Sequence, residues 1–230
     1  IGQLDVKKMK YIGQCDIEKT METIESILAS SSSISNTKVE LNNIEENLRY
    51  LLENANENQM RTNRIDNLIE KIGNFCRNNL KRHQKALDYH LKAYEVRKKL
   101  FGDNIDHEDI AQSLHNIGLS YSRLLQHQNS LEYFFKAYEM RKRLFGDRDH
   151  EDVANTLHYL GLSYTNLIQD QKSLEYFLKA YEIRKRLFGD NTNHLSILGS
   201  LNEIILTYKL LNDQENANKY EKILNKLKKS

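Results

Sequence analysis

The sequence lacks proline and tryptophan altogether. Proline is the residue that most often ends a helix, because its ring removes a backbone hydrogen bond and clashes with the preceding turn. Its absence favours helix along most of the chain. Hydrophobic residues make up only 39% of the sequence, and no run approaches the roughly 20 apolar residues of a membrane-spanning helix. We therefore expect no membrane insertion.

Cysteine is also scarce, with only Cys15 and Cys76. Two isolated cysteines do not form the disulfide framework of a small secreted domain, which favours a cytoplasmic location. The formal net charge is +2, too small for the basic footprint of a nucleic-acid-binding protein, so we expect no nucleic acid partner. The chain starts at Ile1 without a signal pattern, and we expect it to be a fragment of a longer protein.

An internal repeat is the most informative feature present. A segment that shares Lys-Ala-Tyr-Glu and Leu-Phe-Gly-Asp occurs three times, and its copies start at residues 84, 128 and 171. A period of about 43 residues is typical of stacked helical repeats. The sequence therefore predicts a repeat domain at 61–230. Its four units lie at about 64–103, 106–147, 149–190 and 193–228.

Each unit has the pattern of two helices. In the first, Leu114, Ile117, Gly118 and Tyr121 fall on one face of a 3.6-residue helix. A glycine inside a helix costs about 1 kcal/mol relative to alanine. Because glycine recurs at this position, we expect it to permit a close approach of the second helix. The three glycines concerned are Gly73, Gly118 and Gly161.

The helix ends carry signals of their own. Asp106 is predicted to cap the helix that follows it, since an acid stands three residues further on. Gly146 and its equivalents Gly102 and Gly189 are predicted to end second helices. Basic triplets that start at Arg97, Arg141 and Arg184 lie in the last turns. We interpret them as charges that complement the helix dipole and aid solubility, and not as a nucleic-acid patch.

These features together resemble the tetratricopeptide repeat. Five positions of the second unit match the small and aromatic positions of that family, namely Gly118, Tyr121, Ser130, Phe134 and Ala137. The long period and the Leu-Phe-Gly-Asp ending are similar to the kinesin light chain subtype. The match weakens in the fourth unit, where Ile205 stands at the glycine position. The resemblance implies an all-α fold, a right-handed α-solenoid of stacked antiparallel helix pairs with a concave groove along the first helices.

The resemblance also implies a function, that of a protein–protein interaction scaffold or adaptor that binds a short peptide segment in the groove. The predicted groove residues lie beside the core face of the first helices. They are Arg77, Gln112, His115, Asn116, Leu119, Arg123, Asn155, His158, Tyr159, Leu162, Asn166, Asn202 and Lys209. Their basic and amide groups suggest a protein or peptide partner with acidic and aromatic residues. Two other classes stay open: a structural or self-associating solenoid, and a ligand-sensing repeat module of a larger receptor-like protein.

The sequence contains no catalytic pattern. It has neither a glycine-rich phosphate loop nor the His-Glu-x-x-His or Gly-x-Ser-x-Gly motif, so we expect no enzyme, no catalytic residue and no cofactor. His107 and His115 are separated by about 12 Å along a helix. Zinc requires nitrogen ligands at about 2.0–2.1 Å. The pair cannot share an ion, and we expect no metal site.

Residues 1–60 form a separate N-terminal helical segment. Helical spacing covers 16–29 and 38–56, with a predicted loop at the four serines 30–33 between them. The segment is either a degenerate repeat or part of a preceding domain.

Overall fold

The computed structural model describes residues 14–30, 37–56, 64–102, 105–189 and 194–228, and all regular structure in these ranges is α-helical. The helices are α1 Gln14–Ser30, α2 Thr37–Asn54, α3 Ile65–Asn78, α4 His83–Phe101, α5 Glu108–Arg123, α6 His127–Phe145, α7 Glu151–Asn166, α8 Asp170–Phe188, α9 Leu195–Leu210 and α10 Gln214–Leu227. Helices that are close in sequence pack on one another within each of two compact units. The predicted all-α solenoid class is confirmed.

The chain divides into two compact units, Ile1–Leu100 and Phe101–Ser230. In the first unit, α1 pairs with α2 and also packs on α3. The two helical stretches expected before residue 60 therefore exist, although most of the predicted serine loop lies outside the described residues. The boundary between residues 60 and 61 stays a prediction.

The described residues of the second unit form three helix pairs, α5 with α6, α7 with α8, and α9 with α10. Helix α6 packs on α7 and α8 packs on α9, which joins the pairs into one stack. The predicted bounds of the four repeats stay a prediction. Among the described residues, none of the helices is both long and apolar enough to cross a membrane.

The first and second helices of a pair approach closely at a glycine, as expected. A methyl group added to Gly118 would lie 2.8 Å from Cδ1 of Phe134, and one added to Gly161 would lie 2.6 Å from Cδ1 of Phe177. In the first unit the His90 ring approaches Gly73 in the same way. Because the rings of Phe134 and Phe177 are fully buried, the helix backbone packs directly on an aromatic side chain.

The glycines that follow the second helices also take their predicted role. Gly146 ends α6 with φ +60° and Gly189 ends α8 with φ +85°. These are left-handed values that a residue with a Cβ rarely adopts. Gly102, after α4, has φ +105°.

The predicted cap at the start of α5 is wrong. The capping residue is His107, whose Nδ1 accepts a hydrogen bond from the backbone N–H of Asp109 at 3.1 Å. The His107 ring stacks on Phe101 with the two centroids 3.6 Å apart. Asp106 instead accepts hydrogen bonds from Arg143 at 2.7 and 2.9 Å. Histidine replaces aspartate at the cap because it accepts the hydrogen bond and also packs on the end of the preceding helix.

Replacing Gly161 with alanine tests the close approach. The added methyl must displace the buried Phe177 ring, so we expect the free energy of unfolding to fall by about 1–3 kcal/mol. Gly199 in α9 is the matched control, because a methyl group there meets nothing within 4 Å. Gly199→Ala should gain up to about 1 kcal/mol from helix propensity. Urea denaturation of both variants gives the two values, and equal effects would contradict the assignment.

Candidate peptide-binding site

The candidate site lies on the first helices of the second unit, which carry every predicted groove residue except Arg77 on α3. Five positions of each helix fall on one face, spaced at i, i+4, i+7, i+11 and i+15. We call these sets the stripes. The α5 stripe is Glu108, Gln112, His115, Leu119 and Arg123; the α7 stripe is Glu151, Asn155, His158, Leu162 and Asn166; the α9 stripe is Leu195, Gly199, Asn202, Leu206 and Leu210.

Two predicted groove residues are buried in the structure. The His115 ring lies 5.1 Å from the ring of Phe134 and 5.2 Å from that of Tyr159 on α7. Asn116 is only 3% exposed. His115 therefore fills the contact between α5 and its neighbours, and neither side chain is accessible to a ligand in this structure.

Gln112 and Asn155 each accept a hydrogen bond from a buried arginine, Gln112 from Arg141 and Asn155 from Arg184. The guanidinium of Arg141 on α6 donates to Oε1 of Gln112 at 2.7 Å, to the backbone oxygen of Asp152 at 3.1 Å and to the Thr156 hydroxyl. It therefore joins α5 of its own repeat to α7 of the next. These amides serve the fold, although they were predicted to contact a ligand.

The same arrangement recurs at Arg184 on α8. Its guanidinium donates to Asn155 and to Glu151 on α7, and to the Ser200 hydroxyl on α9 at 2.7 Å. Burial lowers the pKa of Arg184, and the Glu151 carboxylate opposes that shift. In the first unit, Arg97 is bound in a similar way by Asp66 at 2.9 Å.

The interpretation of the basic triplets as dipole and solubility charges is therefore wrong for their first members. Arg97, Arg141 and Arg184 are buried, while Arg143 and Arg186 are exposed. One signal in the sequence separates them. The first position of the triplet is arginine in all three repeats, whereas the third is Lys99, Arg143 or Arg186. A position that needs the planar fork of arginine does not accept lysine.

Four predicted residues remain open to solvent, namely Arg123, Asn166, Asn202 and Lys209. The Nζ of Lys209 pairs with Glu221 at 2.6 Å, and Arg123 has no ion-pair partner among the described residues. Leu119, Tyr159 and Leu162 are half-buried beside them. This face therefore combines apolar area with exposed cationic and amide groups.

Sequence reasoning missed one acid on this face. Glu203 on α9 occupies the position of Asn116 and Tyr159 and is half-buried. Burial raises the pKa of its carboxyl group, and no cation of the described residues is paired with it. No motif marks this residue, because its burial depends on how α9 packs.

His158 lies between α7 and α8. Its ring is 5.3 Å from that of Phe177 and 5.7 Å from that of Tyr159. Its Nδ1 is buried without a hydrogen-bond partner. Burial lowers the pKa of His158 to about 4, and the nearby Arg184 charge adds to the effect.

One group of metal-ligand residue types occurs among the described residues. Ligand atoms of Glu108, His150 and Asp152 lie within 4.8 Å of one another. The helix cap accounts for this grouping. Nδ1 of His150 accepts the backbone N–H of Asp152 at 3.2 Å, and the His150 ring stacks on Phe145.

The chain matches one family model, described as the tetratricopeptide repeat, over residues 64–143 and 109–186. These matches together span more than half of the sequence and cover α3 to α8 almost completely. A search of curated proteins finds no match.

Several solved structures share the fold at low sequence identity. BtubC (BKLC) from P. vanneervenii has a TM-score of 0.69 at 15% identity, with 93% of this chain and 89% of that chain covered. A Podosopora anserina protein of kinesin light chain type, with nearly identical TPR-like repeats, gives 0.71 at 14% identity, with 94% and 97% covered. A Rap protein complexed with Competence and Sporulation Factor gives 0.60 at 17%, with 96% and 56% covered. Identities this low show the fold alone.

Arg184→Ala should be strongly destabilising, because it leaves Glu151, Asn155 and Ser200 without their shared donor. We expect the free energy of unfolding to fall by about 3 kcal/mol or more. Arg186→Ala, two residues away, removes an exposed ion pair with Asp149 and should cost less than about 1 kcal/mol. Chemical denaturation of the two variants measures the contrast. A similar loss in both would show that the buried arginine adds nothing beyond surface charge.

The stability of the fold should decrease as the pH falls from about 6.5 to about 4. An unfolded chain protonates His158 near its ordinary pKa of about 6.5, whereas the folded protein resists protonation until about pH 4. The unfolded state therefore binds more protons in this window, and stability is lost as the pH drops. The free energy of unfolding of His158→Gln should depend less steeply on pH, as measured by urea denaturation at a series of pH values. Parallel curves for the two proteins would contradict the assignment.

Proposed function

Because the chain belongs to the tetratricopeptide repeat family, we propose that it is a protein-interaction scaffold whose second unit binds a short peptide segment on the stripes of α5 and α7. The family itself implies protein partners. The finer statement, a peptide on this particular face, rests on the accessible residues of the two stripes. The exposed Arg123 and Asn166 occupy equivalent positions at the ends of α5 and α7, beside Leu119 and Leu162.

The observation that carries the proposal is an unpaired cation beside a row of leucines. Arg123 is exposed and has no carboxylate partner among the described residues. Leu119 and Leu162 stand one turn before Arg123 and Asn166 and retain partly exposed apolar surface. A face of this kind matches a segment that has an acidic group and an apolar or aromatic side chain. The two groups would be separated by about the distance between the axes of packed helices, roughly 8–10 Å.

Asn166 adds an amide to this face. An exposed asparagine can donate to a peptide carbonyl and accept from a peptide N–H, so it can hold the backbone of an extended segment. Among the proteins of similar fold is a Rap protein solved together with Competence and Sporulation Factor. That complex supports partner binding by the fold, and the residues above are our proposal for this chain.

Selection from a random peptide display library on the purified chain tests the proposal. Enriched peptides are synthesised, and their affinity is measured by fluorescence anisotropy for the wild type and for Arg123→Ala/Asn166→Ala. We expect affinity to fall at least about tenfold, because a charge-assisted hydrogen bond contributes about 1.5 kcal/mol or more. Asn116 is left unchanged, since its burial would confuse lost binding with lost packing.

The matched control is Lys142→Ala/Gln171→Ala, which removes one exposed cation and one exposed amide from the second helices α6 and α8. This variant should bind the selected peptides as the wild type does. Circular dichroism confirms equal helicity in all three proteins. The proposal fails if no peptide is enriched, or if the selected peptides bind the stripe variant unchanged.

A further inference from the structure

Glu203 on α9 is a half-buried carboxylate that the fold leaves without a counter-ion. Among the described residues, no cation pairs with it and no side chain donates a hydrogen bond to it. By contrast, Asp66 accepts a hydrogen bond from Arg97 at 2.9 Å. Glu151 accepts one from Arg184 at 3.2 Å. Partial loss of water without a compensating cation costs free energy, and this burial raises the pKa of Glu203. A charge kept in such a place is typical of a binding position.

The position of Glu203 continues the proposed peptide site onto the next first helix. Glu203 occupies in α9 the place that Tyr159 occupies in α7. The two helices are neighbours at this level, because the Arg184 guanidinium donates both to Asn155 on α7 and to Ser200 on α9. Ser200 lies about one helical turn before Glu203. A peptide that crosses the stripes of α5 and α7 and continues in the same direction therefore meets Glu203.

An acid at this position is particular to the last repeat. The equivalent residues are Asn116 on α5 and Tyr159 on α7, and both are neutral. Tyr159 uses its ring for packing, with its centroid 5.4 Å from that of the Phe134 ring. A carboxylate does not provide an aromatic contact of this kind. The repeat therefore does not require an acid here, and helix packing does not account for Glu203.

We propose that Glu203 binds a cationic side chain, lysine or arginine, of the peptide that occupies the stripes of α5 and α7. The inference rests on the proposed function and assigns a second charged position to the same ligand. The peptide then carries an acidic residue that pairs with Arg123 and a basic residue that pairs with Glu203. Both carboxylate oxygens can accept hydrogen bonds from an ammonium or guanidinium group. A charge pair that is partly shielded from water is stronger than one on an open surface.

The places of the two charged groups set their spacing in the ligand. Arg123 lies at the end of α5, and its equivalent on α9 is Leu210, which comes two turns after Glu203. Two turns measure about 10 Å along a helix, and two helix spacings separate α5 from α9, roughly 16–20 Å. The two backbone positions are thus about 20 Å apart. An extended segment covers this distance with about six residues.

Parallel selections from the random peptide display library test the inference, with the wild-type chain and Glu203→Gln as targets. Peptides enriched on the wild type should carry Lys or Arg about six residues from Asp or Glu. Peptides enriched on Glu203→Gln should keep the acidic residue and lose the preference for a basic one. The matched control is Glu182→Gln, which removes the same charge from the exposed face of the second helix α8. Its enriched peptides should resemble those of the wild type.

Affinities of one enriched peptide then measure the pair itself by fluorescence anisotropy. Replacing the basic residue of the peptide with alanine should weaken binding to the wild type by about tenfold or more. The unchanged peptide should lose as much on Glu203→Gln. The two changes together should cost no more than either alone, because both remove the same pair. Glu203→Lys should prefer a peptide in which glutamate replaces the basic residue.

Urea denaturation separates a binding role of Glu203 from a structural one. Glu203→Gln keeps the shape of the side chain and removes a partly desolvated charge that has no counter-ion. The free energy of unfolding of this variant should therefore equal or exceed that of the wild type. A clear loss of stability would show that the carboxylate serves the fold, and would overturn the assignment.

The outcomes also distinguish this inference from the function on which it rests. If no peptide is enriched on the wild type, the peptide-binding function fails and the inference fails with it. The function stands without the inference if the enriched peptides depend on Arg123 and Asn166 but show no preference for a basic residue. A preference for a basic residue that persists on Glu203→Gln also overturns the assignment of Glu203 alone.

Discussion

A buried guanidinium between consecutive helix pairs fixes how the second unit stacks. Arg141 binds Gln112 within its own repeat and the backbone oxygen of Asp152 in the next. A desolvated cation depends on its acceptors, since the loss of one would leave a donor buried in the interior at a cost in free energy. The planar fork therefore specifies the position of the following first helix. Close contact of Gly118 with Phe134 sets the spacing within a pair, and the arginine sets the spacing between pairs.

This constraint decides which polar residues are free to serve function. Gln112 and Asn155 are occupied by arginines, and His115 fills the space between two first helices. The face that we propose for a ligand is smaller than the repeat pattern predicts and is concentrated at the ends of α5 and α7, where Arg123 and Asn166 reach solvent. In this stack the proposed ligand face and the buried face lie next to each other on the same helix.

The last repeat differs from the others because it lacks the buried arginine at the end of its second helix. Lys228 takes the position equivalent to Arg184 and is exposed. With no buried guanidinium to bind, α9 has no need of the polar residues found at Glu151 and Asn155, and Leu195 and Gly199 stand there instead. The loss of one interior cation thus accompanies an exposed apolar stripe.

Periodicity and local chemistry determined much of this protein without any structure. The 43-residue repeat, the glycine at Gly118 and the glycine after each second helix predicted the helices, their close contact and their ends, because these depend on residues near in sequence. The burial of Arg184 and His115, the choice of His107 over Asp106 as a cap, and the exposure of Leu206 required the tertiary structure. Each depends on atoms contributed by another helix or by the preceding one, and the free energy of a buried or exposed group is set by those neighbours.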